Sequence, residues 1–153
     1  MVLTLLLALH SLARWAALSL GLMALIRTFS GTSEGNFGFP DENRKWGRWF
    51  AISLDIQILL GLLMYLFFST ITTSAFENMG SAMSNSVTRF WMVEHPTMMV
   101  AALALAHIGV ARARKAPEKR RAGLTCFGLA MLLIVLGTPW PFSTAARPLL
   151  PFL

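Results

Sequence analysis

The sequence predicts an all-α integral membrane protein, a four-helix bundle whose two termini face the outside. Three observations lead to this fold class. First, 56% of the 153 residues are hydrophobic, only 13% are charged and the mean hydropathy is +0.61, whereas soluble domains are about 45–50% apolar and about 25% charged. Second, the apolar residues gather into four long blocks. Third, the basic residues gather in two of the three connecting loops. The chain is expected to form a single transmembrane domain over residues 1–153.

The four blocks are each close to the roughly 20 residues that a membrane-spanning helix needs. They predict spans at about residues 1–26, 46–69, 89–112 and 121–142. The first block resembles a signal peptide in position, but it lacks a basic start and carries His10 and Arg14 inside its apolar run. We therefore expect it to be a retained first helix.

The basic residues set the predicted orientation. Ten of the thirteen Lys and Arg residues lie in or beside the first and third loops. Loops enriched in Lys and Arg stay on the cytoplasmic side, so both termini and the second loop are expected outside. This indicates a multi-pass membrane protein whose first and third loops lie in the cytoplasm. Because the charge of +6 is explained by topology, no nucleic-acid partner is expected.

The connecting segments differ in composition. Residues 31–40 form a Gly-rich loop with turn signals, and residues 70–88 form a loop rich in Ser, Thr, Asn and Met that is predicted to cap the outer face. The third loop is a short basic hairpin broken at Pro117. Two prolines in the tail, residues 147–153, exclude a fifth helix.

Polar residues inside the predicted spans are the candidates for function. An ionisable group in a span costs roughly 2.5–3.5 kcal/mol on insertion scales and is by default a functional hypothesis. The residues in this class are His10, Arg14, Asp55, Glu94, His95 and His107, with Gln57 as an uncharged companion.

Depth decides which of these side chains can meet. At about 1.5 Å per residue, His10 and His95 lie roughly 6 and 8 Å outward of their helix centres, whereas His107 lies about 10 Å inward. Arg14 follows His10 by four residues, so both project from one helix face.

Two histidines on different helices at one depth are what a bis-histidine b-type haem requires. The iron takes two axial imidazoles from opposite sides of a flat macrocycle, and the facing helices of a bundle provide that arrangement. Arg14 or Arg89 is expected to pair with the haem propionates, and Met98 and Met99 are alternative soft ligands. Pro96 also removes the helical partner of the Met92 carbonyl, which then needs another donor.

Structural roles are the alternative for the same residues. Histidines in spans also bond neighbouring helices, with an average contribution of about 0.6 kcal/mol. Arg14 has a second candidate partner in Asp55, whose depth differs by only about 4 Å. Asp55 in turn is a candidate partner of His107 in the inner leaflet. The single cysteine, Cys126, excludes an intramolecular disulfide and any multi-cysteine metal site.

Short motifs in all four helices resemble one group of proteins. They are His10-Ser-Leu-Ala-Arg-Trp15, Asp55-Ile-Gln-Ile-Leu-Leu-Gly61, Arg89-Phe-Trp-Met-Val-Glu-His-Pro96, His107-Ile-Gly109 and Pro139-Trp-Pro-Phe142. The chain is similar to small bacterial four-span membrane proteins labelled cytochrome b-like. The resemblance implies ligation of haem b by His10 and His95, with His107 as a further candidate, in an electron-transfer setting.

One position departs from that group. Asp55 stands where a histidine is expected in the second helix of such relatives. This departure argues against a second, inner haem that would be ligated with His107.

The expected function is electron transfer in or beside a respiratory or photosynthetic complex, with a quinone or redox-complex subunits as partners. The sequence shows no nucleophile–base arrangement and no nucleotide-binding loop, so whether the protein is an enzyme stays open. Two alternatives remain: a cofactor-free accessory subunit of a larger membrane complex, and a small proton-coupled transporter.

Overall fold

The computed structural model describes residues 1–30, 41–115 and 120–147, and this part of the chain is helical without any strand. The prediction of an all-α fold is therefore confirmed. In chain order the helices are α1 (Val2–Ser30), α2 (Asp41–Leu63), α3 (Thr70–Glu77), α4 (Met79–Ser84), α5 (Ser86–Arg89), α6 (His95–Lys115) and α7 (Arg120–Gly137). Two π-helical turns, Met64–Phe68 and Phe90–Glu94, follow α2 and precede α6.

Three helical stretches are long and apolar enough to cross a membrane. They are Val2–Phe29, Arg44–Phe68 and Ser86–Ala113, and they agree with the first three predicted spans to within a few residues. The fourth apolar helix, Arg121–Gly137, is shorter. The sequence predicted that the fourth span runs to residue 142, but α7 ends at Gly137, where Pro139 and Pro141 follow and cannot continue a helix.

The four long helices form a ring. α1 packs against α2 and α7, and α6 packs against the same two helices, so α1 and α6 lie at opposite corners. Most of the core is alanine, which lets the helices approach closely. The buried residues of this core are Ala17, Ala24, Phe50, Ala51, Leu54, Ala102, Ala106, Phe127, Ala130 and Ile134.

Two aromatic rings fill the centre of the core. Phe50 and Phe127 meet edge to face, with 6.1 Å between ring centroids. Phe127 occupies the space beside Gly47 and Gly109, where an added Cβ would lie 2.7 and 2.8 Å from its ring atoms. The space around these two rings is therefore filled.

The segment between α2 and α6 is not the loop that its composition predicted. It folds into the short helices α3, α4 and α5. Each begins after a polar residue whose side chain accepts a hydrogen bond from an amide of the first turn: Ser69, Asn78 and Asn85. Ser and Asn favour both loops and helix N-caps, so the composition that indicated a loop equally fits a series of capped short helices.

The two π-helical turns lie side by side. Tyr65 in the first turn donates a hydrogen bond from its hydroxyl to the backbone carbonyl of Met92 in the second, at 3.0 Å. Met92 lies four residues before Pro96, which has no N–H to donate to it. The expectation that this carbonyl needs an outside partner is confirmed.

Several sequence predictions concern residues outside the described part of the chain. They are the Gly-rich first loop at 31–40, the break at Pro117 in the third loop and the proline-containing tail beyond Arg147. The segment that follows α7 is described as far as Arg147, whose amide donates to the carbonyl of Pro139 at 3.3 Å.

Candidate functional site

The structure brings His10 and His95 together. His10 projects from α1 and His95 is the first residue of α6, so the two side chains come from opposite corners of the ring. Their ring centroids are 6.4 Å apart, and the ring planes are inclined at 62°. The shared level that simple helix rise predicted is thus the level at which the two imidazole rings meet in an edge contact.

The ring of His95 is oriented by α7. Its Nδ1 lies 2.7 Å from the carbonyl oxygen of Gly137, in the last turn of that helix. The last carbonyls of a helix have no partner within the helix, so Gly137 is free to accept this bond. A carbonyl can only accept, which makes Nδ1 the donor and leaves Nε2 as the unprotonated nitrogen. Phe90 and Trp91 pack beside the ring, at centroid distances of 5.9 and 5.4 Å.

The ring of His10 lies against a notch in α2. A Cβ on Gly61 would be 3.2 Å from the Cε1 atom of His10, so the glycine makes room for the imidazole. Among the described residues, the buried Nδ1 of His10 has no hydrogen-bond partner. The same holds for the buried Oε1 of Gln57, one turn before Gly61 on α2. Because buried polar atoms are normally hydrogen-bonded, each of these two atoms retains the capacity for one further hydrogen bond.

Arg14 accompanies the two histidines. It lies one turn after His10 on α1 and is only 7% exposed. It shares the helix face of His10, and its guanidinium carbon lies 5.8 Å from the ring centre of Trp15. A buried cation beside the two imidazoles is suited to attract an anionic group.

His107 does not belong to this site. It follows His95 by twelve residues, which places it about 18 Å further along α6. Its Nε2 lies 3.0 Å from Oδ1 of Asp55 on α2. Of the two partners that the sequence left open for Asp55, the described contact is therefore with His107.

The remaining candidates lie at the edge of the site. Arg89 bonds to the carboxylate of Glu94 at 2.8 Å, and both side chains are nearly half exposed. Met98 and Met99 pack against Gly137 of α7.

Three contacts at the site were not predicted from the sequence. They are the support of Met92 by Tyr65, the notch at Gly61 and the carbonyl of Gly137. Of these three, only Tyr65 could have been singled out from the sequence, because it is the single tyrosine of the chain and lies within an apolar run.

The donor set of the site is small. Within the described ranges, no group of three or more His, Cys, Asp or Glu side chains converges as it would for a bare metal ion. The nitrogen donors that do meet at the site are the two imidazoles of His10 and His95.

The chain was compared with protein-family models, with curated proteins and with solved structures, and none of the three comparisons gives a match. The function is therefore argued from the geometry of the site.

Proposed function

We propose that the protein is a membrane b-type cytochrome, with one haem between His10 and His95, that transfers electrons in or beside a respiratory or photosynthetic complex. The observation that carries the proposal is the pair of imidazoles from opposite helices, 6.4 Å apart, one of which is oriented by the Gly137 carbonyl.

The spacing of the rings suits axial ligation. Imidazole nitrogens bind transition metals at roughly 2 Å, so two of them on opposite sides of one ion place the ring centres about 6 Å apart. The separation of 6.4 Å is close to this value. His95 would bind through Nε2, because its Nδ1 faces the Gly137 carbonyl, and this is the usual support of a ligating histidine.

The residues around His10 and His95 also suit a haem. Haem, when bound, supplies a one-electron change at its iron, and the protein has to provide only the axial ligands and the environment. His10 and His95 would hold the iron from the two sides. Arg14 would balance the charge of a propionate, since it lies buried beside both rings. The notch at Gly61 keeps the His10 ring in place.

The proposed membrane arrangement has four spans, with both termini outside in a bacterial cytoplasmic membrane. Helix α7 has 18 residues and a length of about 27 Å, close to the roughly 30 Å of a hydrocarbon core. The basic residues Arg27, Arg44, Arg112 and Arg121 all lie near the end of the bundle where α1 leads into α2 and α6 leads into α7. The rule that basic loops stay inside supports this end as the cytoplasmic one.

A difference spectrum tests the proposal. The protein, purified from a haem-replete host, is expected to show a low-spin b-type spectrum on reduction, with roughly one haem per chain. His10→Ala or His95→Ala should abolish the low-spin signal, whereas His107→Ala is the matched control and should retain it. A colourless wild-type protein would overturn the proposal and favour the cofactor-free accessory subunit.

A further inference from the structure

Asp55 and His107 form a polar pair on the outside of the bundle. Their contact at 3.0 Å joins α2 to α6, yet the two side chains are 44% and 52% exposed. Within the described chain each is the other's partner, through Oδ1 of Asp55 and Nε2 of His107. The second carboxylate oxygen and Nδ1 of the imidazole thus stay open to a ligand from outside.

The pair lies well below the proposed cytoplasmic surface. Asp55 follows Trp46 by nine residues and His107 precedes Arg112 by five, which gives depths of about 14 and 8 Å. At these depths the pair lies within a hydrocarbon core of about 30 Å. Phospholipid headgroups and water-soluble ligands do not reach this level from the side of the bundle.

The surface around the pair is apolar. Ile52 and Leu59 share the helix face of Asp55 and are 44% and 62% exposed. Ala104 and Ala111 share the face of His107 and are also exposed. The two alanines leave space beside the imidazole, and the aliphatic side chains suit a hydrophobic molecule. Ionisable residues in spans normally face a bundle interior or an aqueous cavity, so a pair on this outer surface requires an explanation.

We propose that Asp55 and His107 bind the polar head of a quinone that is dissolved in the membrane, in its hydroquinone form. The carboxylate accepts a hydrogen bond from Nε2–H of His107, and in the neutral imidazole Nδ1 is then an acceptor. The open oxygen of Asp55 is a second acceptor. A hydroquinone carries hydroxyl groups that can donate hydrogen bonds to these two acceptors. Its apolar chain dissolves in lipid, so the molecule can reach this depth in the membrane.

The position of the pair on α2 connects it with the histidine site. Gly61, which contacts His10, follows Asp55 by six residues, or about 9 Å along the helix axis. A hydroquinone at Asp55 would thus lie on the cytoplasmic side of the two imidazoles, with α2 between them. The choice of a quinone among lipid-soluble molecules rests on the electron-transfer function proposed above, whereas the location rests on the pair itself.

Photolabelling tests the site directly. The wild-type protein is placed in nanodiscs of quinone-free phospholipid and labelled anaerobically with an aryl-azide derivative of decylubiquinol, with unmodified decylubiquinol as competitor. Mass spectrometry of the labelled peptides is expected to find the label on α2 and α6 around Ile52, Leu59 and Ala104, and excess decylubiquinol should remove it.

Two variants remove the pair in different ways. Asp55→Leu combined with His107→Leu takes away both partners and leaves no unpaired charge, so the bundle should still assemble. Asp55→Asn keeps the shape and removes the carboxylate. Both should reduce the competed label at least tenfold. The matched control is Thr125→Leu, a change from polar to apolar at an exposed position of α7, which should leave the label unchanged.

The outcomes separate this site from the haem proposal. Label that spreads over all outward-facing helices without competition, or that persists in the double leucine variant, would overturn the quinone site. Haem content is measured on the same preparations. Haem without competed label contradicts the quinone site alone. Competed label on a wild-type protein without haem contradicts the cytochrome proposal and supports the site.

Discussion

The hydroxyl of Tyr65 donates a hydrogen bond of 3.0 Å to the backbone carbonyl of Met92, the group that Pro96 leaves without a helical partner. This bond joins the two π-helical turns at the end of the bundle that carries His10 and His95. π-Helical turns interrupt the regular backbone pattern and are frequent at functional sites. The start of α6, and with it His95, therefore depends on a side chain from the π-helical turn that follows α2.

Tyr65→Phe is expected to destabilise the protein. The change leaves the carbonyl of Met92, a buried residue, without its donor, which costs about 1–3 kcal/mol. Thermal unfolding in detergent should show a lower Tm than the wild type. Ser74→Ala, which removes an exposed hydroxyl bonded only to nearby backbone carbonyls, is the control and should stay within about 0.5 kcal/mol. Equal effects of the two changes would contradict the supporting role of Tyr65.

Gly61→Ala is expected to disturb the histidine site without unfolding the bundle. The added Cβ would lie 3.2 Å from Cε1 of His10 and must displace the imidazole by a few tenths of an ångström. We expect a changed low-spin spectrum and weaker haem retention in dilution experiments. Gly128→Ala is the matched control, because nothing lies within 4 Å of its Cβ, and it should be neutral or slightly stabilising, by up to about 1 kcal/mol.

Gly109→Ala is expected to overpack the opposite half of the bundle. The new Cβ would approach the Phe127 ring to 2.8 Å, and overpacking of a filled core typically costs about 1–3 kcal/mol. The loss should appear as a lower Tm with an unchanged haem spectrum. Combination with Phe127→Leu should recover part of it. If the stability losses of the two single changes simply add in the double variant, the Gly109→Ala change does not act through the Phe127 ring.

The proposed orientation predicts the location of reporters. A reporter fused after Leu153 should report the outside, and one inserted in the first loop near Gly35 should report the cytoplasm, because the basic residues hold their loops inside. Both are measured with a pair of enzymes that are active on opposite sides of the membrane. The opposite result would move the histidine site to the cytoplasmic half and the Asp55–His107 pair to the outer half.

Helix geometry alone predicted much of the site. The levels of His10 and His95 follow from rise per residue, and the need of Met92 for a partner follows from the ring of Pro96. The sequence left the partner of Asp55 open, because Arg14 and His107 differ from Asp55 in depth by similar amounts. Which of the two side chains Asp55 meets depends on how α2 is rotated against α6, and the sequence does not give that rotation. The role of Gly137 was missed, because a backbone carbonyl has no signature in the sequence.

The residues of the histidine site are spread along the whole chain, so they are synthesised in a fixed order. His10, Gly61, His95 and Gly137 belong to α1, α2, α6 and α7. During synthesis both histidines are present once the start of α6 has been made, but the carbonyl that orients His95 is added only with the end of α7. A nascent chain that stops before Gly137 would hold the two histidines without that restraint. Completion of the site is therefore tied to completion of the bundle.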